Sequence, residues 1–384
     1  MKISKNNIVI AHGGDISVPG GGPNRVIAFA RTLQDHGFNV NLVVQKPKKE
    51  ISKDLEDIKI HTVPIKKTSL NTSNRLIRAL LISLKAKRIA KKNNAILQIE
   101  HSTLAGFATL VGCSDFVLDM HDLCFASPVN VNLHFSRVVQ KFIYNMEKRA
   151  VIHASKIVVV SNTIKDFIMK EWDVPEEKIE VIPNGYFESK LNNFDFKDIK
   201  KVDGMISFLG TLHPKLDLDK IVELAKSLES SKIYIIGDGD VRSKLVRKIK
   251  KHNLRNVILT GKLPDEETFR LLAKSQAVIL PEYYSIETEA SCPVKLFDYA
   301  ALGKAIVADD VSEMCRLFRE NNAALVSDPS DHEKFIENVR ILLEDEDLRR
   351  KLGENARQLV KDFTWEKQGE KLAKIYKEIF TCNL

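Results

Sequence analysis

The sequence predicts an α/β protein built from two doubly wound parallel-sheet domains. Short apolar runs alternate with amphipathic helices along the chain, which is the order that parallel sheets require. This alternation is interrupted once, by the polar stretch 187–203. The length of 384 residues also exceeds what one hydrophobic core usually holds. We therefore expect a first domain at residues 1–186, a second at 187–364, and a terminal helix at 365–384.

In the first domain, each predicted strand is a short apolar run that is followed by a polar or glycine-containing turn. We expect strands at 8–11, 40–44, 58–65, 95–99, 116–119, 156–160 and 178–182, and helices at 24–36, 74–94 and 133–153 with a short helix after Ser161. The loop after the first strand contains Gly21 and Gly22, which let a ligand approach the backbone closely. It does not match the G-x-G-x-x-G dinucleotide fingerprint, and an ordinary flexible turn is the alternative.

Two histidines follow predicted strands of this domain. His101 comes after Glu100, and His121 is followed by Asp122. Catalytic groups in open α/β sheets lie at the carboxyl ends of strands, so both histidines are candidates for function. A structural role is the alternative for a loop histidine. Asp122 either orients the imidazole ring or caps the next turn.

The second domain repeats the strand–loop–helix pattern. Strands are expected at 205–209, 232–236, 256–259, 277–280 and 305–307, and helices at 294–302, 346–361 and 365–380. The helix at 294–302 has its N-terminus near Cys292–Pro293 and stops at Gly303. Lys295 and Asp298 stand three residues apart on it, so they share a face. A cation for phosphate and a carboxylate for ribose hydroxyls suit a nucleotide-diphosphate ligand; a solvated helix pair is the alternative.

The helix at 74–94 is amphipathic and carries no acidic residue. Such a helix lies on an anionic bilayer or binds an acidic partner; a surface helix with a solvated basic face is the alternative. The basic residues that we assign to this membrane-surface candidate are Arg78, Lys85, Lys87, Arg88, Lys91 and Lys92.

Composition narrows the classes of partner. The net charge of +8 and the pI of about 9.0 favour an anionic partner such as a nucleotide, a nucleic acid or an anionic lipid surface. The five cysteines are scattered without a Cys-x-x-Cys spacing, which favours a reducing compartment and argues against a zinc site. We expect no signal peptide and no transmembrane helix, hence a cytoplasmic protein. With 7% aromatic residues, the chain lacks a basic and aromatic platform for nucleic acid.

Three strings of the sequence resemble retaining glycosyltransferases of family 4, which have the GT-B fold. They are PVKLFDYAALGKAIVADD at 293–310, the segment 147–185 that ends in Pro-Asn-Gly, and Phe-Thr-Trp-Glu at 363–366. The resemblance implies two Rossmann-like domains that face a central cleft, with a last helix that crosses back to the first domain. It also implies a nucleotide-diphosphate sugar as donor, a glycan or lipid-linked acceptor, and no metal or other cofactor.

The resemblance assigns roles to residues on both domains. His121, with Asp122, would lie beside the acceptor and the transferred sugar. The residues that would bind the donor are Gly21, Gly22, Gly210, Thr211, Lys215, Gly261, Lys262, Pro293, Val294, Lys295 and Asp298. Two positions depart from the family pattern: Ala290 replaces the first of two glutamates, and Thr211 replaces an arginine.

From these observations we predict a retaining, metal-independent glycosyltransferase of surface polysaccharide or glycoconjugate synthesis, peripheral on the inner face of the membrane. The departures at Ala290 and Thr211 leave open an inactive nucleotide-sugar-binding scaffold of a glycan-synthesis complex. A nucleotide-sugar epimerase on the same fold is a further alternative. It would need additional carboxylates or histidines in the first domain, where Glu100 with His101 is such a cluster.

Overall fold

The structure is a computed structural model that describes residues 6–18, 20–64, 72–127, 136–194 and 199–382. The chain forms two compact units. Unit 1 consists of Met1–Gly185, Ala290–Cys292 and Trp365–Leu384, and unit 2 consists of Tyr186–Glu289 and Pro293–Thr364. Each unit contains one all-parallel sheet, so the prediction of two parallel α/β domains is confirmed.

Unit 1 contains a seven-stranded sheet in the order β3-β2-β1-β4-β5-β6-β7. The strands are β1 Asn7–His12, β2 Asn39–Gln45, β3 Lys59–Val63, β4 Ile96–Glu100, β5 Phe116–Met120, β6 Ala154–Val159 and β7 Ile179–Val181. The helices are α1 Gly21–Asp35, α2 Thr72–Asn93, α3 Ser102–Leu110, α4 Ser136–His153 and α5 Asn162–Trp172. The strand order reverses between β1 and β4, which is where open α/β sheets place their ligands, beyond the carboxyl ends of the strands.

Unit 2 contains a six-stranded sheet in the order β10-β9-β8-β11-β12-β13. The strands are β8 Met205–Leu209, β9 Lys232–Ile236, β10 Val257–Gly261, β11 Ala277–Leu280, β12 Ala305–Asp309 and β13 Leu325–Ser327. The helices that precede the chain's last helix are α6 Glu188–Asn192, α7 Leu218–Ser227, α8 Arg242–Lys251, α9 Asp265–Lys274, α10 Ile286–Ala290, α11 Val294–Ala301, α12 Glu313–Glu320, α13 His332–Glu344 and α14 Glu346–Leu359. Here the strand order reverses between β8 and β11.

The predicted boundaries differ from the structure at a few places. Helix α1 begins at Gly21, so Gly21 and Gly22 form its first turn instead of ending a loop. Pro293 is the N-cap of α11 and lies just outside the helix. The stretch 187–203 and the loop before α11 each contain a five-residue helix, α6 and α10. The expected strand end at residue 65 and the expected helix start at residue 133 lie outside the described residues.

The last helix, α15 Trp365–Cys382, packs on the first helix of unit 1. Trp365 is buried and its ring meets that of Phe29 edge to face, with centroids 6.1 Å apart. Tyr376 is also buried and lies against Phe38. Helix α15 therefore completes the core of unit 1. Among the helices of the described residues, none is both long enough and apolar enough to cross a bilayer.

Helices α3 and α4 meet where Gly106 faces the backbone of Met146. A Cβ atom at Gly106 would lie 2.5 Å from the carbonyl oxygen of Met146. Because that neighbour is backbone, it cannot turn aside as a flexible side chain would. The close approach positions both helices beside the carboxyl ends of β4 and β5.

We expect Gly106→Ala to lower the free energy of unfolding by about 1–3 kcal/mol, since the added methyl group forces the two helices apart. Chemical denaturation measures the change. Gly13→Ala is the matched control, because its Cβ would make an ordinary 3.8 Å contact with Leu104. Equal stability of Gly106→Ala and the wild type would contradict this account of the helix contact.

Candidate functional site

Strand register brings a group of ionisable side chains together in unit 1. His12 on β1 lies opposite Glu100 on β4, and Glu100 lies opposite Asp119 on β5. His121 follows Asp119 by two residues and therefore points to the same side, as side chains alternate along a strand. We call His12, Glu100, Asp119 and His121 the histidine cluster. It lies at the strand ends beside the reversal point of the sheet.

Arg25 of α1 supplies a cation to this cluster. Its guanidinium donates two hydrogen bonds to the Asp119 carboxylate, from Nε at 2.8 Å and from Nη2 at 3.0 Å. Both residues are fully buried. Nη1 donates to the Pro183 carbonyl and to the Asn184 side chain, each at 3.2 Å. The buried Arg25 thus connects α1 both to strand β5 and to Pro183 and Asn184, which lie near the end of residues 1–185 of unit 1.

The ring of His121 is held from one side. Its Nε2 lies 3.0 Å from Glu100 Oε2 and 3.4 Å from Asp119 Oδ2. Burial alone lowers the pKa of His121, but Asp119 and Glu100 outweigh it and raise the pKa to about 10. His121 is therefore a cation at neutral pH, and its Nδ1 also carries a proton. A protonated ring donates hydrogen bonds and cannot accept a proton as a general base.

The pKa values of two nearby histidines, His12 and His101, are shifted in the opposite direction. Burial, with the charge of His121, lowers the pKa of His12 to about 3. Burial and the same neighbour also lower the pKa of His101. Both rings are neutral at neutral pH, so His121 carries the positive charge among the three.

Glu100 is itself held by a chain of buried side chains. Its Oε1 accepts a hydrogen bond from Gln98 at 2.5 Å, and Gln98 accepts one from the Tyr376 hydroxyl at 2.6 Å. Tyr376 belongs to the terminal helix α15. The position of His121 therefore depends, through Glu100 and Gln98, on the last helix of the chain.

The loop after His121 is fixed separately. Glu147 of α4 accepts hydrogen bonds from the backbone N–H groups of Cys124 and Phe125 and from the Ser102 hydroxyl. Burial raises the pKa of Glu147 to about 7. The Asp122 carboxylate lies 3.8 Å from His101 Nε2. Its two expected roles, orienting the His121 ring or capping the next turn, remain predictions.

Glu100, Asp119 and His121 each offer a ligand atom, and these atoms lie within 4.8 Å of one another. Asp119 and Glu100 already face two cations, Arg25 and His121. Burial and Asp119 raise the pKa of Glu100, and the two cations oppose that shift. A divalent cation would have to displace the proton of His121 and compete with Arg25. The arrangement is that of a buried ion network. The prediction of a metal-independent protein remains a prediction.

The first turn of α1 reaches this cluster. A Cβ atom at Gly22 would lie 3.7 Å from the His12 ring and 3.8 Å from Nδ1 of His121. Gly22 and the imidazole of His121 are therefore neighbours, and the first helical N–H groups lie close to the cationic ring. The roles of Gly21 and Gly22 in ligand binding remain predictions.

In unit 2, both lysines that the sequence predicted for phosphate binding meet at one carboxylate. Lys295 Nζ lies 2.9 Å from Glu282 Oε1, and Lys215 Nζ lies 3.5 Å from Glu282 Oε2. Lys295 does not pair with Asp298 on its own helix. We call Lys215, Glu282 and Lys295 the lysine cluster. It lies beyond the carboxyl ends of β8 and β11, where the order of the second sheet reverses.

Backbone contacts hold the two loops of the lysine cluster together. The N–H of Tyr283 donates to the Lys215 carbonyl at 2.9 Å, and the N–H of Asp217 donates to the Pro281 carbonyl at 3.0 Å. Gly210 has φ +147 and makes room for the Lys295 stem, since a Cβ there would lie 2.8 Å from Lys295 Cε. The ammonium group of Lys295 also lies 4.9 Å from the centre of the Phe208 ring.

In the lysine cluster, the Glu282 carboxylate and the Lys295 ammonium group stabilise each other's charged forms. Burial raises the pKa of Glu282, but Lys215 and Lys295 outweigh it and bring the pKa down to about 2. Burial lowers the pKa of Lys295, and Glu282 opposes that shift. Glu282 therefore stays ionised at neutral pH and favours the charged form of Lys295.

The other predicted donor residues lie at the same end of the second sheet or on α11. Thr211 is exposed in the loop after β8, and Lys262 is exposed directly after β10. Gly261 ends β10 with φ +73 and accepts a hydrogen bond from the Gly237 N–H. Pro293 is buried, and Val294 and Asp298 are half-buried. Burial raises the pKa of Asp298 to about 7, against the opposing effect of Lys190.

At position 290, where the family pattern has a glutamate, this chain has a buried alanine. Ala290 is fully buried, and its carbonyl accepts a hydrogen bond from Ser161 at 2.7 Å. The carboxylate near the lysines is that of Glu282, eight residues earlier. Sequence reasoning missed Glu282 because it lies outside the expected spacing. Its position directly after β11 and Pro281 was the available signal.

The basic residues of α2 fall into two groups. Arg78, Lys85 and Lys87 donate hydrogen bonds to Gln45, to the Thr62 carbonyl and to the Val111 carbonyl. Arg88, Lys91 and Lys92 are exposed. The same helix exposes large apolar side chains, which are Leu76, Ile77, Leu81 and Leu84.

Two family models match the chain. The model for glycosyl transferases group 1 matches residues 189–359, and the model for glycosyltransferase family 4 matches residues 19–187. An uncharacterized glycosyltransferase of Methanocaldococcus jannaschii is 25% identical over 60% of this chain and 62% of its own length.

Two relatives match over most of their length. The N-acetylgalactosamine-N,N'-diacetylbacillosaminyl-diphospho-undecaprenol 4-alpha-N-acetylgalactosaminyltransferase of Campylobacter jejuni is 21% identical over 90% of this chain and 93% of its own. The UDP-Gal:alpha-D-GlcNAc-diphosphoundecaprenol alpha-1,3-galactosyltransferase of Escherichia coli is 22% identical over 98% of both chains.

Solved structures share the fold at low sequence identity. Sucrose-phosphate synthase from Thermosynechococcus elongatus superimposes with a TM-score of 0.78 at 16% identity, over 98% of this chain and 99% of that one. HepE of Anabaena in complex with UDP-glucose superimposes with a TM-score of 0.70 at 15% identity, over 97% and 99%. These matches support the GT-B fold that the sequence predicted.

The raised pKa of His121 predicts how its contribution to stability depends on pH. A charged His121 stabilises the fold fully below pH 6.5, and this stabilisation is lost as the pH rises towards about 10. The melting temperature of His121→Gln should therefore lie furthest below that of the wild type at pH 6 and approach it by pH 10.

His101→Gln is the control for this pH series. Its neutral ring has a lowered pKa, so a difference from the wild type should change only on acidification below pH 6.5. A gap between His121→Gln and the wild type that stays constant from pH 6 to 10 would show that His121 is neutral in the folded protein.

Proposed function

Because the chain belongs to the group 1 glycosyltransferases and has the GT-B fold, we propose that it transfers a sugar from a nucleotide-diphosphate sugar to a hydroxyl group of a glycan or lipid-linked acceptor. We further propose that the transfer retains the anomeric configuration. The observation that carries the proposal is the meeting of Lys215 and Lys295 at the strand ends of unit 2.

The lysine cluster provides positive charge where a diphosphate would leave. When the bond between the anomeric carbon and the diphosphate oxygen breaks, the electron pair stays on that oxygen, and fixed cations stabilise the developing charge. Lys215 and Lys295 are fixed by Glu282 and by the joined loops. With this charge supplied by the chain, we propose that the reaction needs no metal ion and no cofactor other than the donor substrate.

We propose that Asp298 binds the ribose of the donor. Gly261 and Lys262 are proposed to lie next to the nucleotide base of the donor. The half-buried Asp298 carboxyl on α11 can accept hydrogen bonds from vicinal hydroxyls once it is ionised. Its pKa of about 7 predicts that this acceptor role strengthens as the pH rises through neutrality.

His121 is proposed to act on the acceptor side, as a hydrogen-bond donor. The carboxylates of Glu100 and Asp119 hold Nε2, so Nδ1 is the nitrogen on the side of Gly22. A cationic donor can polarise a sugar hydroxyl or neutralise a phosphate. The acceptor hydroxyl forms the new bond to the anomeric carbon, and its proton passes to the leaving diphosphate or to solvent.

The relatives support the acceptor class. The names of the Campylobacter jejuni and Escherichia coli enzymes specify diphospho-undecaprenol acceptors, and the latter specifies UDP-galactose as donor. We propose an acceptor of this kind, a growing glycan carried on a lipid diphosphate. Such an acceptor would be met at the membrane.

Helix α2 supports a peripheral location on the inner face of the membrane. Its exposed apolar side chains, among them Ile77 and Leu84, lie on the same helix as the exposed Arg88, Lys91 and Lys92. Apolar groups that enter the headgroup region and cations that meet anionic lipid are the two components of interfacial binding.

An inactive binding protein is the second candidate, favoured by the absence of a carboxylate at Ala290 and of an arginine at Thr211. It would bind nucleotide sugars without turning them over. An epimerase would turn them over without an acceptor. A transferase consumes donor only together with an acceptor hydroxyl, apart from slow hydrolysis.

Lys295→Gln and Lys215→Gln should each weaken binding of the cognate nucleoside diphosphate by roughly ten- to a hundredfold, because each removes one of two fixed cations. Isothermal titration with UDP, GDP, ADP and dTDP measures the affinities, and radiolabelled transfer to a diphospho-undecaprenol glycan measures turnover. Lys232→Gln, an exposed lysine of the same unit, is the control. Binding that is unaffected by both cluster variants would overturn the donor site.

The wild type should sediment with phosphatidylglycerol vesicles and not with phosphatidylcholine vesicles. Replacing Arg88, Lys91 and Lys92 by Gln should abolish sedimentation at physiological salt, at about 1 kcal/mol per cation. The matched control replaces Arg247, Lys250 and Lys251 of α8, which changes the net charge equally. Equal loss in both triple variants would indicate a dependence on net charge and refute a docking role for α2.

A further inference from the structure

We propose that Glu282 has two roles in the lysine cluster. It positions Lys215 and Lys295, and it lowers the affinity of the site for the nucleoside diphosphate product more than its affinity for the donor. This inference rests on the proposed glycosyltransferase function. It assigns a positioning residue, and a control on product release, to a carboxylate that lies outside the expected glutamate spacing.

The first step is the placement of the three charges. The Glu282 side chain is 1% exposed, whereas those of Lys215 and Lys295 keep 20% and 16%. The lysines can therefore be reached from solvent and the carboxylate cannot. An ammonium group has three N–H donors, so each lysine can contact Glu282 and still donate to a phosphate oxygen.

The second step is that Glu282 is anchored. Its backbone N–H donates to Asp309 Oδ2 at 3.0 Å, and the residue forms an antiparallel bridge with Leu216. Asp309 is in turn held by the buried Lys220 at 2.6 Å. A ligand that draws the lysines outward would thus leave the carboxylate in place below them.

The third step is the charge balance. Burial, and to a smaller extent the charge of Glu282, raises the pKa of Cys315 and Tyr299, so both are neutral at neutral pH. Asp309 is paired with Lys220. The cluster then has two positive charges and one negative charge. Glu282 lowers the mutual repulsion of the lysines, but it also repels any anion that they bind.

The fourth step compares substrate and product. In the donor, the terminal phosphate is esterified to the sugar. After transfer, the electron pair of the broken bond remains on that phosphate. Once the proton of the acceptor hydroxyl has been released to solvent, the nucleoside diphosphate carries one more negative charge than the donor. Repulsion from a fixed carboxylate grows with the charge of the ligand. Glu282 therefore opposes the retention of product more than the binding of donor.

The experiment is a comparison of affinities between the wild type and Glu282→Gln, which keeps the shape of the side chain and removes its charge. At pH 8, where the second ionisation of the terminal phosphate is nearly complete, the nucleoside diphosphate should bind roughly tenfold more tightly to the variant and the nucleotide sugar only about threefold more tightly. Product inhibition of transfer should strengthen in the same ratio. Glu289→Gln, which removes a glutamate paired with Arg316, is the matched control.

A double-mutant cycle with Lys295→Gln tests the mechanism. The gain in product affinity should shrink in Lys295→Gln/Glu282→Gln, since one of the cations whose field Glu282 offsets is gone. Weaker binding of both ligands to Glu282→Gln, or an equal change for donor and product, would show a purely structural role and overturn the inference. Failure of the wild type to bind any nucleoside diphosphate would overturn the proposed donor site itself.

Discussion

The buried ion pair between Arg25 and Asp119 is the interaction on which unit 1 depends. It joins α1 to the central part of the sheet, and the same guanidinium holds Pro183 and Asn184 where the chain leaves this unit. Removing one partner of such a pair typically costs about 3–5 kcal/mol, because an uncompensated charge remains buried. Asp119 also contributes to the positive charge of His121, so the pair that supports the fold also sets the chemistry of the cluster.

Unit 2 also has a cluster of charged side chains at the strand ends, but with different residues. In both sheets the strand order reverses next to the first strand of the unit, and in both the charged cluster lies beyond the strand ends at that point. Unit 1 pairs two carboxylates, Glu100 and Asp119, with the cations Arg25 and His121, while unit 2 places one carboxylate, Glu282, between two lysines. In both clusters, opposite charges compensate the buried ionised groups.

Much of the fold was accessible from sequence, because strand–turn–helix alternation reports on parallel sheets directly. The strands at 205–209, 232–236 and 277–280 were predicted to the residue, since each is a short apolar run between polar turns. The start of α1 was misplaced because glycines usually indicate a loop. Short helices such as α10 have too few residues to show a periodicity.

The candidate site was accessible only in part. Lys215 and Lys295 could be named from their positions beside a strand end and a helix start, but their shared partner could not. Glu282 contacts Lys215, 67 residues earlier in the sequence, because backbone hydrogen bonds join the two loops. The spacing of residues along the sequence does not reveal such a contact. The same holds for Arg25 and Asp119, which are 94 residues apart.

The placement of α15 has a consequence for how the chain acquires its structure during synthesis. Trp365 and Tyr376 fill the core of unit 1, yet the chain of unit 2 separates them from Gly185. After Gly185 is added, the ribosome needs roughly 10–40 s to reach these residues at common elongation rates. Throughout that interval α1 and Gln98 have no helix α15 to cover them. The first stretch of unit 1 therefore emerges well before its packing is complete, with an apolar surface that chaperones can recognise until α15 docks.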